Sequence, residues 1–305
     1  MYCFLSILKK HRSILIGFLF LVISFSSSAQ TLTLYSFTAP HPIRWHNPHS
    51  LLLSAYRNYR ARSDYEPRRM LGHMVIELKK DNEVTLTGIS PDKMVNMSQS
   101  VLHEKVGLSI LFEPVAGHLE DRAKVQAEID YRSQRAKAAF ITFNISDSEY
   151  NYLKLYLDSF RIKGYDKIYN GNNCPRTGGG SGCTAFGMSF LELINGITNE
   201  YRDKWAIKVN VPNRLMGDSS LKKKVSLGRI FFSFKWGSKP GSYRTLVLFD
   251  PDLVYNWINA EWASEKKHPT GNYRLTEMRN AKGLIIDCRS CRPVLPMFLD
   301  KTIGN

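Results

Sequence analysis

The chain has 305 residues and a formal net charge of +15 at pH 7, enough for one large domain or two small ones around a sizeable core. Its one long apolar run, Ser13–Phe25, has 13 residues, short of the roughly 20 that a spanning helix needs, which excludes a polytopic membrane protein. A charge of this sign speaks to anionic partners rather than to fold.

Taken in chain order, Lys9, Lys10 and Arg12 precede that apolar run, and Ser26-Ser27-Ser28-Ala29 follows it. This is the layout of a signal peptide with small residues at the cleavage site. The expected working form therefore begins near Gln30, is exported to the periplasm or beyond, and has no transmembrane segment. Loss of three basic and no acidic residues leaves 276 residues carrying +12. In that compartment the expected polyanions are wall polymers, lipid headgroups or lipopolysaccharide, and not nucleic acid.

Asn47-Pro48 reads as a cap and first-turn proline opening a helix to about Arg60. Gly72–Leu78 and Val84–Gly88 read as strands joined by a polar turn at Lys79–Asn82, and Val106–Phe112 as a further strand. Glu120–Arg135 is charged and helix-prone. Ala138–Ile145 (AAFITFNI) alternates as a strand, and Ser146-Asp147-Ser148-Glu149 is a capping box. The helix behind it sets Tyr150, Leu153, Leu157 and Phe160 on one face, and Gly164 ends it. A glycine-rich loop, Thr177–Gly182, leads into a second helix with Phe186, Phe190, Leu193 and Ile194 inward. Trp205–Val211, Arg229–Phe234, Thr245–Phe249 and Leu284–Cys288 read as strands, with a helix over about Asp252–Ser264 capped by Asp250-Pro251. No repeat or linker divides the chain, so the expectation is one α+β domain, residues 30–305, with an antiparallel sheet.

Beyond the leader there are four cysteines: Cys174, Cys183, Cys288 and Cys291. An even number in an oxidising compartment points to disulfides. Cys288-Arg289-Ser290-Cys291 reads as a local disulfide or a thiol pair. With no second CxxC and no HxxxH it is half a zinc site at most, so no metal is expected. The glycine-rich loop lacks the Gly-Lys-Ser/Thr of a phosphate-binding loop, so no cofactor is expected either. The aromatic residues of the last hundred positions could line a carbohydrate or lipid groove, but at strand and helix spacing they read first as core.

Cys183 stands where that loop becomes an amphipathic helix. A helix N-terminus favours a thiolate, and its amides, here around Gly182 and Thr184, can stabilise an oxyanion after attack on a carbonyl. The other reading of Cys183 is a disulfide with Cys174, or an inert core thiol. A nucleophilic thiolate needs a base, and of the seven histidines outside the leader His73 alone opens a strong strand. His41, His46, His49, His118 and His268 lie in loop-like contexts, and His103 in a charged segment.

Gly72-His73 with Val75 and Glu77, then Tyr169, then Gly182-Cys183-Thr184-Ala185-Phe186, resemble the permuted papain-like superfamily of NlpC-type peptidases, lecithin:retinol acyltransferase-like enzymes and YiiX-like amidohydrolases. The resemblance covers about residues 70–200, leaving a strand-rich part at about 201–305. It implies a cysteine hydrolase or acyltransferase in which Cys183 attacks an amide or ester carbonyl and His73 shuttles the proton. The expected location and the positive charge point to envelope substrates, a peptidoglycan peptide or a lipid-linked acyl group. The resemblance places the polar residue that orients the imidazole on the neighbouring strand, at Thr87. Glu77 shares the face of His73 but lies about 13 Å along the strand. Asn173-Cys174 also fits the motif, but Pro175 and the glycines set Cys174 well before the helix. The rival reading is a non-catalytic envelope protein with disulfides Cys174–Cys183 and Cys288–Cys291, whose basic surface binds polyanions.

Overall fold

A computed structural model describes residues 30–61, 71–92, 105–217 and 223–300; the expected leader at 1–29 and His103 lie outside them. The strands in chain order are β1 (Gln30–Phe37), β2 (His73–Lys80), β3 (Glu83–Pro91), β4 (Val115–Leu119), β5 (Ala138–Ile145), β6 (Ile168–Tyr169), β7 (Ala206–Pro212), β8 (Tyr243–Phe249), β9 (Arg274–Met278) and β10 (Ala281–Asp287). The helices are α1 (Pro48–Arg60), α2 (Arg122–Gln134), α3 (Asp147–Ile162), α4 (Cys183–Leu193), α5 (Asn199–Trp205), α6 (Leu227–Phe231) and α7 (Pro251–Lys267). None of them is long and apolar enough to cross a membrane.

Eight strands form one sheet in the order β6-β4-β3-β2-β1-β5-β10-β9, and β7 and β8 form a separate pair. The fold is α+β, but the sheet is mixed rather than antiparallel. β10 runs parallel to β5, with Ala139 opposite Lys282, while the other pairs in this sheet are antiparallel. A parallel pair needs a long crossover, and the chain from α3 through β9 supplies it. β9 and β10 therefore join the same sheet as β1–β6.

Side-chain alternation on β1, β2 and β5 divides the core in two. Leu32, Leu34, Met74, Ile76, Ile141 and Phe143 pack under α3, α4 and α7. Tyr35, Phe37, Val75 and Phe140 pack under α2, against Val125 and Ile129. A third cluster joins α1 and α6 to the β7–β8 pair through Leu51, Val209, Val211, Ile230 and Leu246.

Several local signals are realised residue for residue. Asn47 Oδ1 accepts from Ser50 N at 2.8 Å with Pro48 in the first turn. The Ser146–Glu149 capping box is closed in both directions, and Gly164 takes the left-handed conformation after α3 (φ 68°). Two expected strands are not strands. Val106 and Gly107 make only isolated bridges before a 3₁₀ turn at Leu108–Leu111, because Gly107 turns to φ 63°. Arg229–Phe234 instead begins within α6, where the Ser226 side chain accepts from Arg229 N. Trp205 closes α5 rather than opening β7.

The start of α7 ties the sheet to the crossover. Ser36 Oγ donates to the Pro251 carbonyl at 2.7 Å, and Asp252 Oδ1 accepts from Ala39 N at 2.8 Å. Burial, aided by the neighbouring Asp250 carboxylate, pushes the Asp252 carboxyl up to about 6, although the Ala39 amide opposes the shift. A carboxyl raised on folding favours the native state below its ordinary range near 4, and that contribution is lost as pH rises through about 6. Asp252→Asn is therefore expected to be the more stable protein at pH 8, by up to about 3 kcal/mol, with the gap closing by pH 4. Urea unfolding of both proteins at the two pH values measures it; a gap independent of pH would reject the assignment.

Candidate active site

His73 is the first residue of β2, and Pro91 ends the antiparallel neighbour β3. This end of the sheet opens on a cavity lined by Gly72, His73, Pro91, Gly182, Cys183 and Thr184, with Tyr169 and Asn170 beside them. Segments more than a hundred residues apart thus meet at one place. Trp45 before α1 and Leu246 and Phe249 of β8 complete the wall with apolar groups.

One glycine eases the approach of α4 to the sheet: a Cβ at Gly187 would stand 2.7 Å from Met74 Sδ, so a larger residue would have to displace that side chain. The loop before α4 is anchored, not loose. Asn170 Nδ2 donates to the Gly179 carbonyl at 2.9 Å, Asn170 N to the Ser181 carbonyl at 3.3 Å, and Tyr169 bridges to Ser181. Gly180 sits over the Asn170 side chain at φ 87°.

Six of the seven described helices begin with a side-chain cap: Asn47, Asp121, Ser146, Thr198, Ser226 and Asp250. The exception is α4, which begins on Gly182 with no side-chain cap bond. The start of this helix, with its partial positive charge, lies at the cavity wall. Cys183 is the first residue of this helix, 7% exposed, with Sγ 3.8 Å from Thr184 Oγ1. It carries a thiol and not a disulfide; so does Cys174. Cys174 precedes a 3₁₀ turn at Pro175–Thr177, outside α4, and Asn173 rather than Cys174 lines the cavity. Cys288 and Cys291 are joined as a disulfide.

The imidazole of His73 is 2% exposed, and its Nε2 lies 2.6 Å from Glu120 Oε2. Ser90 Oγ donates to the other carboxylate oxygen at 2.7 Å, and Thr87 Oγ1 donates to the Glu120 carbonyl at 2.9 Å. Space for this pair comes from Gly88, where a Cβ would collide with the Glu120 carboxylate and Val75. The carboxylate that meets the ring thus belongs to Glu120, and Thr87 holds the backbone of Glu120. Glu77 lies farther along β2, its carboxyl raised by burial.

Alternation gives His73 the same side as Phe37 and Val75, the α2 side, whereas Met74 and Ile76 meet α4. The two residues come to one cavity because His73 stands at the end of its strand, and they reach it from different layers. Glu128 on α2 brings a third donor atom near His73 and Glu120, all three within 4.8 Å of one another. Arg132 already binds Glu128 through Nε at 3.0 Å, so this cluster is satisfied by the protein itself.

Nothing in the sequence around Glu120 announced its role. Composition puts it at the start of a charged helix, yet it lies between β4 and the Asp121 cap. Only the pairing of β4 with β3, Ser90 opposite His118, carries it to the imidazole. No family model matches this chain, and no curated protein or solved structure is significantly similar to it.

Proposed function

We propose that the chain is an exported cysteine hydrolase or acyltransferase of the permuted papain-like kind, acting on an amide or ester of an envelope substrate. The observation that carries the reading is the uncapped start of α4, where a buried thiol opens on the same cavity as His73. The chain order, a strand histidine before a helix cysteine, also agrees with it. The mainly apolar wall suits a lipid-linked acyl group better than a peptidoglycan peptide.

In this mechanism the Cys183 sulfur attacks the carbonyl carbon and its proton passes to His73. With Nε2 engaged by Glu120, Nδ1 is the nitrogen that takes the proton. Amides at the start of α4 receive the oxyanion. Collapse of the tetrahedral intermediate breaks the bond to the leaving amine or alcohol, which leaves with the proton from His73. Water, or an acceptor alcohol or amine, then gives up a proton to His73 and takes the acyl group from sulfur. Glu120 orients the imidazole and favours its protonated form.

The rival, a non-catalytic protein with two disulfides, has one of its pairs in the structure, Cys288–Cys291, while Cys174 and Cys183 are thiols. Incubation of the full chain with p-nitrophenyl butyrate, followed by peptide mapping, separates the two. The expected result is a butyryl thioester on Cys183; acylation of Cys174 alone, or of neither, would overturn the proposal.

A further inference from the structure

Among the described residues, α1, α6, the β7–β8 pair and the segments beside them carry charge of one sign only. Residues 38–61, 205–217 and 223–249 contain eleven lysines and arginines and no aspartate or glutamate. Within this basic field lies a patch of exposed aromatic and aliphatic side chains. Phe232 and Phe234 are 73% and 57% exposed, and Phe231 is 37% exposed. Singly exposed apolar residues need no explanation, but a contiguous set rimmed by polar groups does.

The set is contiguous and held in place. His49 on α1 packs its ring on Phe231 and Phe234, with centroids 4.6 and 4.7 Å apart, and its amide donates to the Ser233 carbonyl at 3.0 Å. Leu53 and Tyr56 follow His49 at i+4 and i+7, one stripe of the same helix, and are 44% and 54% exposed. The patch therefore spans α1 and the segment after α6. Arg57, Arg60, Arg229, Lys235 and Lys239 are exposed around it.

We infer that this face docks on an anionic lipid surface, with Phe232 and Phe234 entering the headgroup boundary while the basic rim meets the phosphates. Apolar wedges fixed in a like-charged field are the combination an anionic bilayer rewards and a soluble polyanion does not. A polyanion would use the cations and leave the phenylalanines in water. The inference does not use the chemistry at Cys183.

The test is sedimentation of the full chain with vesicles of 30% phosphatidylglycerol in phosphatidylcholine, and with pure phosphatidylcholine, at 0.15 M salt. Binding is expected to the first and not to the second. Phe232→Ser/Phe234→Ser should weaken partition about tenfold or more, and each of Lys235→Gln and Lys239→Gln about fivefold. These side chains are exposed, so an unchanged melting curve confirms that each variant is folded. Native-strength binding by the double phenylalanine variant would make charge alone, and hence any polyanion, sufficient, and would overturn the inference. Equal binding to both vesicles, or to neither, overturns it as well.

Discussion

His73→Ala is expected to slow alkylation of Cys183 by iodoacetamide at pH 6 by about a hundredfold, and to leave the rate at pH 9 nearly unchanged. The argument is electrostatic. An ordinary thiol ionises near 8.5, so at pH 6 only about one in three hundred is thiolate. An imidazolium partner keeps sulfur ionised there, but a less basic thiolate is a weaker nucleophile, which returns part of the gain. Glu120→Gln should lie between the two proteins, because the amide can still hold Nε2 but no longer favours the protonated ring. Glu120→Ala removes the partner of a buried imidazole and should also cost about 1–3 kcal/mol of stability. A merely structural role for the His73–Glu120 pair predicts loss of stability without any change in the shape of the pH profile. If His73→Ala alkylates at pH 6 as fast as the native chain, the thiol and the imidazole are not coupled, and the base in the proposed mechanism falls.

The second large effect is on stability. Phe186→Ala should lower the unfolding free energy by about 3–5 kcal/mol. Phe186 is fully buried on α4, with the rings of Phe160 and Phe190 at 5.4 and 5.2 Å. Truncation leaves a cavity between α3 and α4 beside the rings of Phe160 and Phe190. Urea titration measures the loss, and Phe186→Leu should recover more than half of it. A change below 1 kcal/mol would show that α4 does not pack as described. The same packing fixes the axis along which the first amides of α4 point, so an acylation rate that falls in Phe186→Leu despite a folded chain would tie the core to the site.

What could be read from sequence was local. AAFITFNI alternates and is β5; Ser146 and Glu149 close their box within four residues; Asn47-Pro48 starts α1 where expected. Each of these signals is decided by a neighbouring amide or by the strand's own period. What escaped was decided from a distance. β1, with the alternating TLTLYSF, has a strand's period but no cap or turn signal at either end, and it is β2 and β5 on its two sides that fix it in the sheet. RIFFSF has the composition of a strand, but the Ser226 cap turns its first half into α6 and leaves its phenylalanines outside. The site divides in the same way. Cys183 at a helix start and His73 at a strand start were legible because glycine and alternation mark such places. Glu120 was not, because its partner is 47 positions earlier and only the β3–β4 pairing brings it there.

The parallel seam between β5 and β10 dictates when this protein can finish folding. Ala139 meets Lys282 and Asn144 meets Asp287, so the later half of that ladder is made long after the earlier one. Closing so wide a loop comes late and slowly. Until then the flank of β5 waits as an open template for other chains, and a nascent chain halted before residue 281 is the species in which a chaperone would find an unfinished edge.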